Sequence, residues 1–275
     1  MKLYVMTDME GVAGVLDSEN WCHHSSKHYD LAIELLTREV NAAVEGFIEG
    51  GATEIMVVDG HGPGGINPAI LDPRVQLMRW WPTGWPLLLD SSYDAVAWVG
   101  QHAKACARYS HLAHTQSMWT IDLSINSLSI GEFGQLALCA SELGVRSIFG
   151  SGDEAFTKEA QALVPGIETV CVKWGTSPGT GEELSFTEYR RSKAPGIHLS
   201  VVKARELIRE GACRAVKRAM NEDFGIIADL PKPPYRLDLK VRPGDDSPAA
   251  TLYATHPSSI AGVLSVPAAP VPDGE

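Results

Sequence analysis

The sequence predicts an α/β protein: a three-layer, mostly parallel sheet flanked by helices, with a second, smaller α+β region. Three observations carry this. Short apolar runs bounded by Gly, Asp or Pro alternate with long segments of helical period, the pattern of βαβ units. Some of those runs, Ile55 to Val58 above all, are continuously apolar, as strands covered on both faces are. A length of 275 residues, at about 150 residues per domain, accommodates one large unit and one small one.

Lys2 to Thr7 is β-prone and stops at a cluster of acidic residues and glycine, so it reads as a strand and its loop. From Tyr29 to Glu49, Ile33, Leu36, Val40, Val44, Phe47 and Ile48 recur at helical spacing, while Glu34, Arg38, Glu45 and Glu49 form a polar back. Gly50-Gly51 ends that helix. Strands follow at Ile55 to Val58, Val75 to Met78 and Ala95 to Val99, and Ile121 to Ile130 reads as extended with a turn at Asn126-Ser127. Gly131 opens a helix with Phe133, Leu136, Ala137, Ala140 and Leu143 on its apolar face. Arg146 to Phe149 and Glu168 to Val172 are short strands separated by a helix near Asp153 to Leu163. His198 to Met220 is a second long helix whose Lys and Arg residues read as a solvated face, and Tyr235 to Val241 is a late strand.

Charge excludes several classes of function. With 34 acidic against 23 basic side chains the formal net charge is -11, which leaves no basic surface for nucleic acid or an anionic membrane. No apolar run approaches the roughly 18 residues that span a bilayer. Asp8 and Glu10 interrupt the first apolar stretch before a secretory signal could form. Five widely spaced cysteines without a Cys-x-x-Cys pair read as reduced, mostly buried thiols. A soluble, cytoplasmic protein is expected.

The chemistry gathers at strand ends. Asp8 and Glu10 follow the first strand, Asp59 and His61 the second, and His102 the strand beginning at Ala95. In an open parallel sheet these ends share the rim where ligands bind. Glu132, in the first turn of the helix after Ile130, can face the same rim. Singly, each carboxylate reads first as an ordinary turn, N-cap or helix-end residue. Together, three carboxylates without compensation would repel one another, and divalent cations relieve that. Five N/O ligands exceed the usual three of a catalytic mononuclear zinc, so a dinuclear site with one bridging carboxylate is the simplest reading. The absence of thiolates permits zinc and leaves manganese and cobalt open.

Two other motifs carry less. Gly60-His61-Gly62-Pro63-Gly64-Gly65 has the letters of a dinucleotide fingerprint, yet Pro63 and Pro68 disturb the helix that should follow, and Arg79-Trp80-Trp81-Pro82 stands where an acidic residue is needed. Gly150-Ser151-Gly152 lacks the flanking spacing of a nucleophile elbow.

In order, Asp8-Met9-Glu10-Gly11, Asp59-Gly60-His61, Gly100-Gln101-His102-Ala103, His114-Thr115 and Gly131-Glu132-Phe133-Gly134 resemble the motifs of the zinc-dependent D-aminopeptidases of the dipeptide-permease-operon type. The resemblance covers residues 1–175. It implies that Asp8, Glu10, His61, His102 and Glu132 bind two zinc ions with Asp8 as the bridge, that His114 is catalytic, and that the chain forms a homodecamer. It further implies release of N-terminal D-amino acids from short peptides. On this reading residues 1–180 form the metal-binding catalytic domain, 181–266 a smaller α+β region and 267–275 a flexible tail. His111 competes with His114 for the proton-transfer role, while Trp80, Trp81 and Trp85 read as packing before substrate contact. The rivals are a dinuclear phosphate-ester hydrolase, for which only Lys104 and Arg108 lie near the motifs, and a metal-binding protein without catalysis.

Overall fold

The computed structural model describes residues 1–80, 84–244 and 248–270. Strand β1 (Lys2–Thr7) sends Leu3 and Val5 into one core and Tyr4 and Met6 into another, as a strand covered on both faces must. A short helix α1 (Ser18–Trp21) and the long α2 (Tyr29–Gly50) lead to β2 (Glu54–Asp59), β3 (Gln76–Met78) and β4 (Ala95–Gln101). Then come β5 (Thr120–Ile125), β6 (Leu128–Ser129), α3 (Glu132–Glu142), β7 (Arg146–Asp153), α4 (Glu154–Leu163) and β8 (Glu168–Gly175). The chain continues through α5 (Phe186–Ser192), β9 (Gly196–His198), α6 (Val201–Asn221), β10 (Tyr235–Val241), β11 (Ala250–His256), α7 (Ile260–Ser265) and β12 (Ala269–Pro270).

The main sheet runs β3-β2-β1-β4-β7-β8-β9, parallel throughout except for the antiparallel edge strand β9. Leaving β1, the chain builds β2 and β3 on one side and then crosses to β4 on the other. The C-terminal ends of β1 and β4 therefore flank a topological switch point, the crevice where α/β sheets bind ligands. Helices α2 and α6 bury one sheet face, with Phe47, Val40, Ala212 and Ile208 in the cluster. On the other face Trp98 packs edge-on to Phe133 of α3, and Phe133 in turn against Phe156 of α4.

The expected three-layer, mostly parallel architecture is present, with one correction. Residues 121–130 do not join the main sheet. They form the β5–β6 hairpin of a second, antiparallel sheet ordered β12-β11-β10-β5-β6. Asn126 and Ser127 both take positive φ in its turn, and a two-residue connection can only join antiparallel strands. The two sheets interleave along the chain: β5 and β6 precede residue 180, whereas β9 and α6, which complete the main unit, follow it. The long helix starts at Val201, capped by Ser200, because His198 ends β9. Ala269–Pro270 pair with β11, and the remainder of the expected tail, 271–275, lies outside the described residues. Among those residues no helix is long and apolar enough to cross a membrane.

Candidate metal centre

The loop after β1 is pressed onto the end of β4. A Cβ on Gly11 would lie 2.1 Å from the Gln101 carbonyl oxygen, and one on Gly100, at φ +77°, 2.1 Å from that of Asp8, so only glycine fits at either position. This contact sets Asp8 and Glu10 beside His102. Beyond Gly11 the loop is held by four buried or half-buried side chains. Ala13 N donates to Glu39 Oε1 (2.9 Å), Gly14 N to His198 Nδ1 (3.1 Å), Lys173 Nζ to the Val12 and Val15 carbonyls (3.1 and 3.4 Å), and His111 Nε2 to Leu16 O (3.1 Å).

After β2, Asp59 accepts from Gly65 N (2.8 Å), and Arg79 donates to the His61 and Gly62 carbonyls (2.7 and 2.6 Å). Asp59 therefore shapes the loop that carries His61. His61 donates from Nε2 to Cys22 O (2.8 Å) and turns Nδ1 toward Asp8 Oδ1 (3.3 Å) and Glu10 Oε2 (3.2 Å). His102 donates from Nδ1 to Ala103 O (2.9 Å), leaving Nε2 at 3.0 Å from Asp8 Oδ2 and 3.7 Å from Glu132 Oε1. His114 donates from Nδ1 to Leu112 O (2.9 Å) and sets Nε2 3.7 Å from the same Glu132 oxygen.

A backbone carbonyl can only accept, so each imidazole has one nitrogen committed as donor and the other facing carboxylates. A neutral ring would point a lone pair at those anions. Only a proton or a cation in the gap relieves that repulsion. Glu10 Oε2 and His102 Nε2 are buried without a hydrogen-bond partner, and a metal ion is the occupant such a donor set fits. The potential ligands form two groups, Asp8 with Glu10 and His61, and His102 with His114 and Glu132. Asp8 touches both.

The electrostatics agree with a site built for positive charge. Burial alone would raise the Asp8 carboxyl, but the His102 and His61 imidazoles hold it well below the usual range. Burial opposes protonation of His61 and His102, yet their carboxylate neighbours push His61 well above its ordinary value and His102 up to about 10. His111 is different: burial, with Lys173 and His198 nearby, pushes it down to about 2. Its ring donates from Nε2 to Leu16 O and lies edge-on to His198, away from Asp8, Glu10 and Glu132, while its backbone N donates to Asp153.

All six residues singled out in the sequence meet at this rim, three carboxylates and three imidazoles. Trp85 lines a cavity beside it. Trp80 is 77% exposed under the Arg79 guanidinium, and Trp81 lies outside the described residues. Lys104 and Arg108 are engaged elsewhere, with Ser129 and the Pro178 carbonyl. Sequence reading missed Gln101, whose Nε2 donates to Asp8 Oδ2 (3.3 Å), and the loop-holding Arg79, Lys173 and Glu39. Gln101 adjoins a quoted motif. The other three lie far from the motifs in sequence and gave no signal.

A profile of the D-aminopeptidase family matches residues 1–258. The D-aminopeptidase of Bacillus subtilis (strain 168) is 27% identical over 176 residues, 63% of this chain and 64% of that protein, so the match spans just under two thirds of the relative's length. The solved structure of the Zn-dependent D-aminopeptidase DppA from Bacillus subtilis, a self-compartmentalizing protease, shares the fold: TM-score 0.81 over 96% of this chain and 95% of that one, at 20% identity.

Proposed function

The chain belongs to the D-aminopeptidase family, and from that premise we propose that it is a dinuclear metallo-aminopeptidase that releases N-terminal D-amino acids from short peptides. One observation carries the reading. Asp8 presents Oδ1 to His61 and Oδ2 to His102, one oxygen to each candidate ligand group. Asp8, Glu10 and His61 would hold one divalent ion, and Asp8, His102 and Glu132 the second. Zinc is the first choice, with manganese or cobalt as alternatives.

When bound, such ions polarise the scissile carbonyl and lower the pKa of water. The chain's own residues do the rest. Gln101 Nε2 and Met9 N donate to Asp8, fixing its plane (3.3 and 2.8 Å). Gln116 N donates to Glu132 Oε1 (2.6 Å), aiming that carboxylate at the rim. His114, with Nδ1 committed to Leu112 O, offers Nε2 to exchange a proton with the leaving amine.

Phosphate esters are a poorer fit: among the described residues the cavity lining includes neither lysine nor arginine. The family resemblance and the self-compartmentalizing neighbour support a homodecamer, and the five free cysteines suit the cytoplasm.

An assay of D-alanyl and L-alanyl p-nitroanilide beside p-nitrophenyl phosphate, with and without chelator, tests the reading. Faster cleavage of the D-anilide, abolished by chelation and restored by zinc, is expected. Preference for the L-anilide would overturn the stereochemical assignment and leave the metal chemistry standing; preference for the phosphate would replace the peptidase reading.

A further inference from the structure

Beside the carboxylates the rim opens into a cavity of about 350 Å³, within the range of small-ligand sites. Its lining is divided by chemistry. Asp8, Glu132, Gln101 and Gln116 supply a polar part, and Met6, Trp85, Leu87, Leu136 and Leu264 an apolar part. The apolar part is assembled from distant stretches of chain: Met6 from β1, Leu136 from α3, Trp85 and Leu87 from the loop before β4, and Leu264 from α7. That loop is anchored from beneath by Tyr4, whose hydroxyl donates to Leu87 O (2.7 Å). It also meets α7 closely: Ser265 Oγ donates to Trp85 O (3.5 Å), and a Cβ on Gly84 would lie 2.7 Å from Ser265 Oγ. The wall is thus held from two sides, and no charged side chain contributes to it among the described residues.

We propose that this cavity receives the side chain of the peptide's N-terminal residue and selects aliphatic side chains over charged ones, with Trp85 and Leu264 as specificity-determining residues. This rests on the aminopeptidase reading. A free N-terminal residue carries its amine next to its side chain, and the cavity sets the candidate metal-binding rim of Asp8 and Glu132 next to an apolar wall in the matching arrangement, the rim for the neutral amine and the wall for the side chain. An aliphatic side chain gains by leaving water there, while a charged one would lose its hydration with nothing to replace it.

The test uses amino alcohols, which carry the amine and side chain but no bond to cleave. Calorimetric titration of the zinc-loaded protein with alaninol, leucinol and lysinol, both enantiomers of each, should give leucinol binding about 10-fold or more tighter than alaninol, and lysinol weakest. Leu264→Ala should shrink the leucinol to alaninol ratio several-fold, as should Trp85→Ala, and Leu264→Asp should shift the balance toward lysinol. Wild-type binding of lysinol as tight as leucinol, or a leucinol to alaninol ratio unchanged in both alanine variants, overturns the proposal. Should a variant fail to fold, judged by lost metal, the wild-type comparison decides alone. Alanyl and leucyl p-nitroanilides run in parallel separate the two readings: no cleavage of either enantiomer sinks the peptidase assignment, while the binding ratios still decide the pocket.

Discussion

His102 and His114 lie stacked, ring centroids 4.0 Å apart and planes 15° from parallel, and both set Nε2 3.7 Å from the same Glu132 oxygen. Two imidazoles share one carboxylate, yet they differ in reach. His102 Nε2 is also 3.0 Å from Asp8 and its side chain is buried, whereas the His114 side chain stays 15% exposed. The proposal gives His102 to the metal and His114 to the proton.

That division predicts the behaviour of His114→Ala. The variant should keep its metal and assembly but lose on the order of 10² to 10⁴ in turnover, the usual contribution of a general acid or base. His111→Ala should lose much less, because His111 is occupied with Leu16. Metal analysis beside turnover numbers checks it: loss of metal in His114→Ala would make His114 a ligand, and full activity would remove its role.

Lys173 gives a second prediction. Its buried ammonium donates to the Val12 and Val15 carbonyls of the loop that carries Glu10, so Lys173→Met should leave the Val15 carbonyl unpaired and Val12 O with the Val15 N–H alone, at about 1–3 kcal/mol. Urea unfolding should show that loss. Zinc affinity should also weaken, by about 10–100-fold as for other residues that orient ligands. A variant with wild-type zinc affinity would show that the clamp does not position Glu10.

Glu39 supplies the pH dependence. Burial raises its carboxyl from the ordinary 4.5 to about 8, the bonds and charges around it only partly opposing this. The folded state therefore keeps a proton that the unfolded chain gives up. Stability from this group is full below pH 4.5 and is lost progressively as pH rises to about 8. Glu39→Gln, neutral at every pH and able to accept from Ala13 N, should gain on wild type across that window by on the order of a few kcal/mol. Equal pH profiles of unfolding free energy for the two proteins would contradict the raised value.

Much of this was legible in the sequence because local chemistry coincides with the period of the elements. The continuous apolar run ending in Asp59-Gly60-His61 can only be a buried strand whose end presents polar groups, and the parallel sheet then brings that end beside Asp8 and His102. The hairpin at Asn126-Ser127 was visible as a turn, but the partner of β5 is β10, more than a hundred residues later, and nothing local encodes that pairing. The helix α5 carried an unread signal, the capping box of Ser185 and Glu188. Lys173 and Glu39 were illegible for another reason. Each reads as an ordinary charged residue, and its function comes only from burial against a loop distant in sequence.

The shared position of Asp8 between the two ligand groups is the centre of the account, and metal content tests it most directly. Elemental analysis of wild type and Asp8→Ala, beside D-alanyl p-nitroanilide turnover, should find two ions per chain in the wild type and loss of both, with activity, in the variant, since a bridge serves both sites. An Asp8→Ala protein that retained both ions and full activity would contradict the dinuclear centre.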